Sequence, residues 1–177
     1  MPLSLVNERV ALWRVGKIAV VGPGIVGMPM AALLAHAKIC EGSDSPAHVT
    51  VIQRNSATSG WKVDAINAGR SPIGGVEPDL ERIVAEAVAA GLLSASHGYA
   101  AARDADVILI CTQTDKLGLA PDYGPLFEAL EGIARELAQR PPGNVPLIVF
   151  ESTLAPSTMA TLVRDFFAER GLVEGRD

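Results

Sequence analysis

Apolar residues along the chain fall into two kinds of run. Short blocks rich in Val and Ile, apolar at odd and even positions alike, occupy residues 17–21, 48–53, 106–111 and 145–151. A strand covered on both faces reads this way, because neither set of side chains meets water. A further short strand is expected at Leu93–Ser96. Elsewhere apolar residues return every three or four positions. After Pro78 the stripe is Leu80, Ile83, Val84, Ala87 and Val88, closed by Gly91. After Asp122, the expected N-cap, it is Tyr123, Leu126, Phe127, Leu130, Ile133, Ala134 and Leu137. A third runs through Met159, Leu162, Val163, Phe166 and Phe167, with Ser157 or Thr158 as cap and Gly171 as stop. These stripes predict core-facing helices. Ser, Gly and Pro cluster at 41–47, 55–60 and 71–78, which predicts loops, and 140–146 reads as a stiff connector. Strands alternating with helices predict an α/β domain with a doubly wound parallel sheet over 17–177, behind a leader at 1–16.

Composition narrows what such a domain does. At 177 residues one domain is expected, and a hydrophobic share of 49% with 20% charged residues places the chain among globular proteins. A net charge of −5 supplies no field for a phosphate backbone, so nucleic acid is not an expected partner. Residues 18–35 carry no charge and approach bilayer length, but Gly22, Pro23, Gly24, Gly27 and Pro29 break a single helix near its start, so no membrane span is expected. Glu8 and Arg9 interrupt any signal-peptide core. Two cysteines, Cys40 and Cys111, are too few for a disulfide scaffold and fit a reducing cytoplasm. His36, His48 and His97 show no metal-ligand spacing, and no metal is expected.

The sharpest local signal is Gly22-Pro-Gly24-Ile25-Val26-Gly27, a G-x-G-x-x-G turn between the first strand and an apolar helix. In that context the first glycine permits the tight turn, the second lets a diphosphate approach the main chain, and the third allows close helix–strand packing. Unpaired N–H groups and the helix dipole at the same point favour an anion. The pattern predicts a dinucleotide site. The acid expected at the end of the second strand, where it would accept the ribose hydroxyls, is replaced by Gln53, followed by Arg54. Gln53 can hydrogen-bond a ribose hydroxyl, and Arg54 can attract a 2′-phosphate, so the residues leave NAD and NADP both open. A surface insertion over residues 39–47 accounts for an interval longer than the usual one of about 20 residues.

From Lys17 to about Thr161 the chain resembles the N-terminal NAD-binding domain of the UDP-glucose/GDP-mannose dehydrogenases. The resemblance rests on an ordered series: KIAVVGPGIVGMPMAALLA, KVDAINAGRSPIGGVEPDLERIVAEAVAAGLL, ADVILICTQT and FESTLAPSTM. INAGRSPI followed by EPDL is far more specific than the glycine turn. Members of this family oxidise C6 of a nucleotide-activated sugar to the carboxylate, using two NAD+ in succession and a catalytic cysteine. The resemblance implies NAD as cofactor, with Gly22, Gly24, Ile25, Val26 and Gly27 at the diphosphate turn. Gln53 stands in the place of the ribose-binding Asp, and Lys62 matches a basic residue near the adenosine end. Thr114 matches the threonine of a V-x-T-P element beside the cofactor. Thr153 matches a threonine near the nicotinamide that helps position the hydrolytic water, with Glu151 bearing on the same water.

This sequence departs from the family pattern in several places. CTQTD replaces V-P-T-P, APST replaces P-x-G-T, and residues 55–60 include an insertion. The family's nucleophilic cysteine, assisting lysine and sugar-nucleotide contacts come from motifs beyond Asp177, and neither Cys40 nor Cys111 matches them. The expected activity is therefore cofactor binding without turnover, in a segment of a UDP-sugar 6-dehydrogenase whose nucleotide-sugar substrate is held by further domains and which is a homo-oligomer. EPDL and the EST segment look most like the branch acting on UDP-N-acetyl-hexosamines. A stand-alone regulatory dinucleotide-binding module, a dehydrogenase of small hydroxy acids and a truncated product remain as rival readings.

Overall fold

The computed structural model describes residues 15–37, 46–74, 79–117, 120–141 and 143–177. Most of the leader, residues 39–45 of the insertion with Cys40, Glu77 and Pro78 of EPDL, and Pro142 of the connector lie outside the described residues. Five strands form one parallel sheet: β1 (Lys17–Val21), β2 (His48–Ile52), β3 (Leu93–Ser96), β4 (Val107–Ile110) and β7 (Leu147–Phe150), in the order β3-β2-β1-β4-β7. The chain order reverses direction between β1 and β4, and in such sheets the carboxyl ends of the strands on either side of that point border a crevice.

Alternation along each strand explains the two-sided core. Ile18, Val20, Val49, Val51 and Leu93 face one way and pack with Met28, Ala31, Ala32 and Ala35 of α1 (Gly27–His36) and with Leu80, Val84 and Ala87 of α3 (Leu80–Ala89). Ala19, Val21, Ile52, Ile108 and Ile110 face the other way and meet Leu126, Leu130, Ile133, Ala134 and Leu137 of α5 (Gly124–Leu137). The helical stripes beginning at Leu80 and Tyr123 thus lie in the core, on opposite faces, as the doubly wound reading expects. Alanines on α1 keep that helix close to the sheet, since a larger side chain there would hold its axis away.

Several details differ from the sequence reading. Two short helices carried no assignment, α2 (Trp61–Asn67) and α4 (Ala100–Asp104), and neither did the hairpin of β5 (Asp115–Leu117) and β6 (Ala120–Asp122). Asp122 is not the N-cap of α5; Tyr123 is, although the Asp122 carboxylate accepts the Gly124 N–H at 2.8 Å and so still satisfies a donor at the helix start. The stripe from Met159 begins as a π-helical turn (Met159–Val163) and becomes α-helical only at α6 (Arg164–Ala168). Gly91 and Gly171 end their helices with φ of 70° and 77°, as stops of this kind require. No helix among the described residues is long and apolar enough to cross a membrane.

Polar anchors fix the rim opposite the crevice. Asp106 accepts the N–H groups of Gly16 and Lys17 at 2.7 and 2.9 Å, tying the entry of β1 to the entry of β4. Arg140, just beyond α5, donates to the carbonyls of Ala102, Ala105 and Asn144 and to the Asn144 side chain, at 2.8–3.2 Å. Those bonds clamp the connector onto α4. Arg140→Met is expected to destabilise the domain by about 2 kcal/mol, because carbonyls in a half-buried site lose charge-assisted donors. A urea midpoint unchanged from wild type would contradict that role.

Candidate functional site

The glycine turn sits at the carboxyl end of β1, on the crevice. Gly22 takes a φ of 94°, and its N–H is spent on the Ile52 carbonyl at 2.9 Å, so its service is to bend the chain. The Gly24 N–H is also occupied, by the Gly22 carbonyl at 2.9 Å. The donors left without an acceptor among the described residues are those of Ile25, Val26 and Gly27, at the start of α1. A side-chain carbon added at Gly24 would meet nothing within 4 Å, whereas one at Gly27 would run into the Gly22 carbonyl oxygen and come 2.9 Å from the Cys111 Cβ. The third glycine therefore serves packing, and the second leaves open space above the turn.

That space continues into a cleft of about 150 Å³. Val21, Ile52 and Cys111, from the ends of β1, β2 and β4, form part of its lining. Lys62, on α2, donates its ammonium to the Pro23 carbonyl at 3.1 Å, which stations a positive charge at the glycine turn. Gln53 is 9% exposed, and its amide donates to the Ser59 hydroxyl at 2.9 Å and to the Arg54 carbonyl at 3.2 Å. Arg54 and Glu128, from opposite walls, form an ion pair at 2.9 Å. Tyr99 completes this end; its ring packs so closely on Gly132 that any side-chain carbon there would strike it. Burial pushes the Tyr99 phenol up, with the Glu128 carboxylate adding to the shift and Arg54 opposing it.

Gly22, Gly24, Gln53, Arg54 and Lys62 thus line one cleft, whereas Ile25, Val26 and Gly27 lie outside its lining. Thr114, Glu151 and Thr153 do not line it. They lie toward the β4 and β7 side, Glu151 and Thr153 exposed and Thr114 half-buried. Ser152, between Glu151 and Thr153, joins that segment to the loop after β4 by donating to the Thr112 carbonyl at 2.7 Å. Tyr99, Glu128, Ser59 and Pro125 are cleft residues that the sequence reading did not single out. Burial, with the Glu151 carboxylate adding to it, pushes the Cys111 thiol up to about 11, so it stays protonated at neutral pH and is a poor nucleophile. No group of three or more His, Cys, Asp and Glu among the described residues is placed to hold a metal ion.

Comparison with known proteins agrees with this fold. Residues 16–174 match the model of the NAD binding domain of the UDP-glucose/GDP-mannose dehydrogenase family. A UDP-glucose 6-dehydrogenase of Caenorhabditis elegans is 33% identical over 81% of this chain and 27% of its own length. A UDP-N-acetyl-D-mannosamine dehydrogenase of Pyrococcus horikoshii is 29% identical over 91% of this chain and 34% of its own. The crystal structure of an NDP-N-acetyl-D-galactosaminuronic acid dehydrogenase from Methanosarcina mazei superposes with a TM-score of 0.80 at 31% identity, covering 98% of this chain and 34% of that one. The chain therefore spans about a third of the length of these proteins. The match over 16–174, on a sheet with the strand order and glycine turn described above, means that the chain belongs to the UDP-glucose/GDP-mannose dehydrogenase family and carries its NAD-binding domain.

Proposed function

We propose that this chain is the cofactor-holding domain of an enzyme that oxidises C6 of a UDP-sugar, of the UDP-glucose or UDP-N-acetyl-hexosamine type, to the uronate. The observation that carries the reading is the open space over Gly24, in a cleft that Lys62 also lines, next in sequence to the Ile25, Val26 and Gly27 amides that have no acceptor among the described residues. Three donors at one helix start with a cation close by suit an anion such as a pyrophosphate. When bound, NAD+ supplies the acceptor for the hydride leaving the sugar carbon. The turn would hold the diphosphate, Gln53 and Arg54 would border the adenosine ribose, and Thr114 and Thr153 would border the nicotinamide end. Glu151 and Thr153, exposed at the end of β7, would position the water of the hydrolytic step. The names of the relatives support the sugar-nucleotide class, and two well-separated residue groups along one sheet edge suit a molecule as long as a dinucleotide.

On its own the chain is proposed to bind the cofactor without turnover, because its described thiol is held protonated on the cleft floor. The nucleotide sugar would be held by further domains of a homo-oligomeric, cytoplasmic parent enzyme. Calorimetric titration with NAD+ tests the binding, and absence of any heat of binding at millimolar cofactor would refute it. Lys62→Met should weaken NAD+ about tenfold, with the loss shrinking as salt rises, since the half-buried ammonium acts largely by charge. An unchanged affinity would remove Lys62 from the site.

A further inference from the structure

Dinucleotide domains commonly read the adenosine ribose at the end of the second strand, where a carboxylate accepts the 2′-hydroxyl and an arginine accommodates a 2′-phosphate. In this chain the strand-end residue carries no charge with which to tell the two apart. Gln53 is buried and its amide is engaged with Ser59 and the Arg54 carbonyl. The arginine is nonetheless there, one residue on, and a carboxylate faces it from an element far away in sequence. Arg54 Nη1 donates to Glu128 Oε2 at 2.9 Å, and both residues line the cleft. Glu128 belongs to the polar side of α5, whose apolar stripe is spent on the core.

We propose that Glu128 sets the preference of this domain for NAD over NADP. A guanidinium paired with a carboxylate offers little to a 2′-phosphate, which would have to displace Glu128 and then sit beside it. The charge logic is that of the missing strand-end acid, carried across the cleft to the opposite wall. Both side chains are about half exposed, at 51% and 53%, so the effect is screened and of moderate size. Removing the carboxylate frees the guanidinium for the bidentate phosphate contact that arginine makes well.

This inference rests on the dinucleotide reading of the cleft, and the test separates the two. Dissociation constants for NAD+ and for NADP+ are measured by calorimetry on the 177-residue chain and on its Glu128→Gln, Arg54→Gln and doubly substituted variants. The wild type is expected to favour NAD+, and Glu128→Gln to shift the ratio of the two constants toward NADP+ about tenfold, the size of one charge-assisted contact. The double variant should lose that shift, because the freed guanidinium carries it, and high salt should reduce it. A ratio unmoved by Glu128→Gln, a shift that survives in the double variant, or a wild type indifferent between the cofactors would each overturn the role of Glu128 while leaving the cleft as a dinucleotide site. A wild type that binds neither cofactor overturns the cleft reading and this inference together.

Discussion

Gly24→Ala is expected to leave the stability of the domain within about 0.5 kcal/mol of wild type and to weaken NAD+ about a hundredfold. The fold has no need of glycine there. The residue's φ is not in the left-handed region, and its added carbon would meet no atom within 4 Å. If the pyrophosphate occupies that opening, the methyl group stands in its place and pushes it off the amides behind. Losing two charge-assisted hydrogen bonds of about 1.5 kcal/mol each corresponds to roughly two orders of magnitude in affinity. A urea transition paired with NAD+ calorimetry checks both halves. Wild-type affinity in a normally folded Gly24→Ala chain would mean that no ligand backbone approaches the turn, and the binding mode proposed above would fail.

The sequence made the sheet legible because its strands are covered on both faces. β1 occupies the residues its apolar run predicts, and β3 those of the further short strand expected at Leu93–Ser96. β2, β4 and β7 close one residue earlier than expected for a physical reason: Gln53, Cys111 and Glu151 still donate their N–H groups to Ser96, Val21 and Ile110, and the chain then leaves the ladder. Helices of five and seven residues escaped notice because they are too short to show a stripe, and the hairpin because its three-residue strands are too short to alternate. The glycine turn was visible from its spacing together with its place between a buried strand and an apolar helix, and Lys62 only through family likeness. Glu128 and Tyr99 gave no sign. A residue that faces a cleft from the polar side of an amphipathic helix looks like any solvated position, and its partner Arg54 lies far off in sequence. The pattern also could not tell which glycine serves the ligand and which the packing, since that depends on what each missing side chain would strike.

Gly27 is the packing glycine, and Gly27→Ala is expected to destabilise the domain by about 3 kcal/mol, at the upper end of overpacking effects. The added carbon overlaps the Gly22 carbonyl oxygen and stands 2.9 Å from the Cys111 Cβ. One obstacle is main chain and the other a Cβ on Cys111, whose N–H is held by the Val21 carbonyl just past β4, so neither can rotate away. Relief requires α1 to move off the sheet, which opens contacts made by Met28 and Ala31, both fully buried. For a domain of this size the loss corresponds to a fall of roughly 10 °C in melting temperature. Cofactor binding should fail as well, because the amides of Ile25 and Val26 ride on the displaced turn. The pair of variants thus separates the two duties of one motif: Gly24→Ala weakens binding at constant stability, and Gly27→Ala lowers both. A Gly27→Ala chain that melts with the wild type would show that α1 does not rest on the turn as closely as this geometry requires.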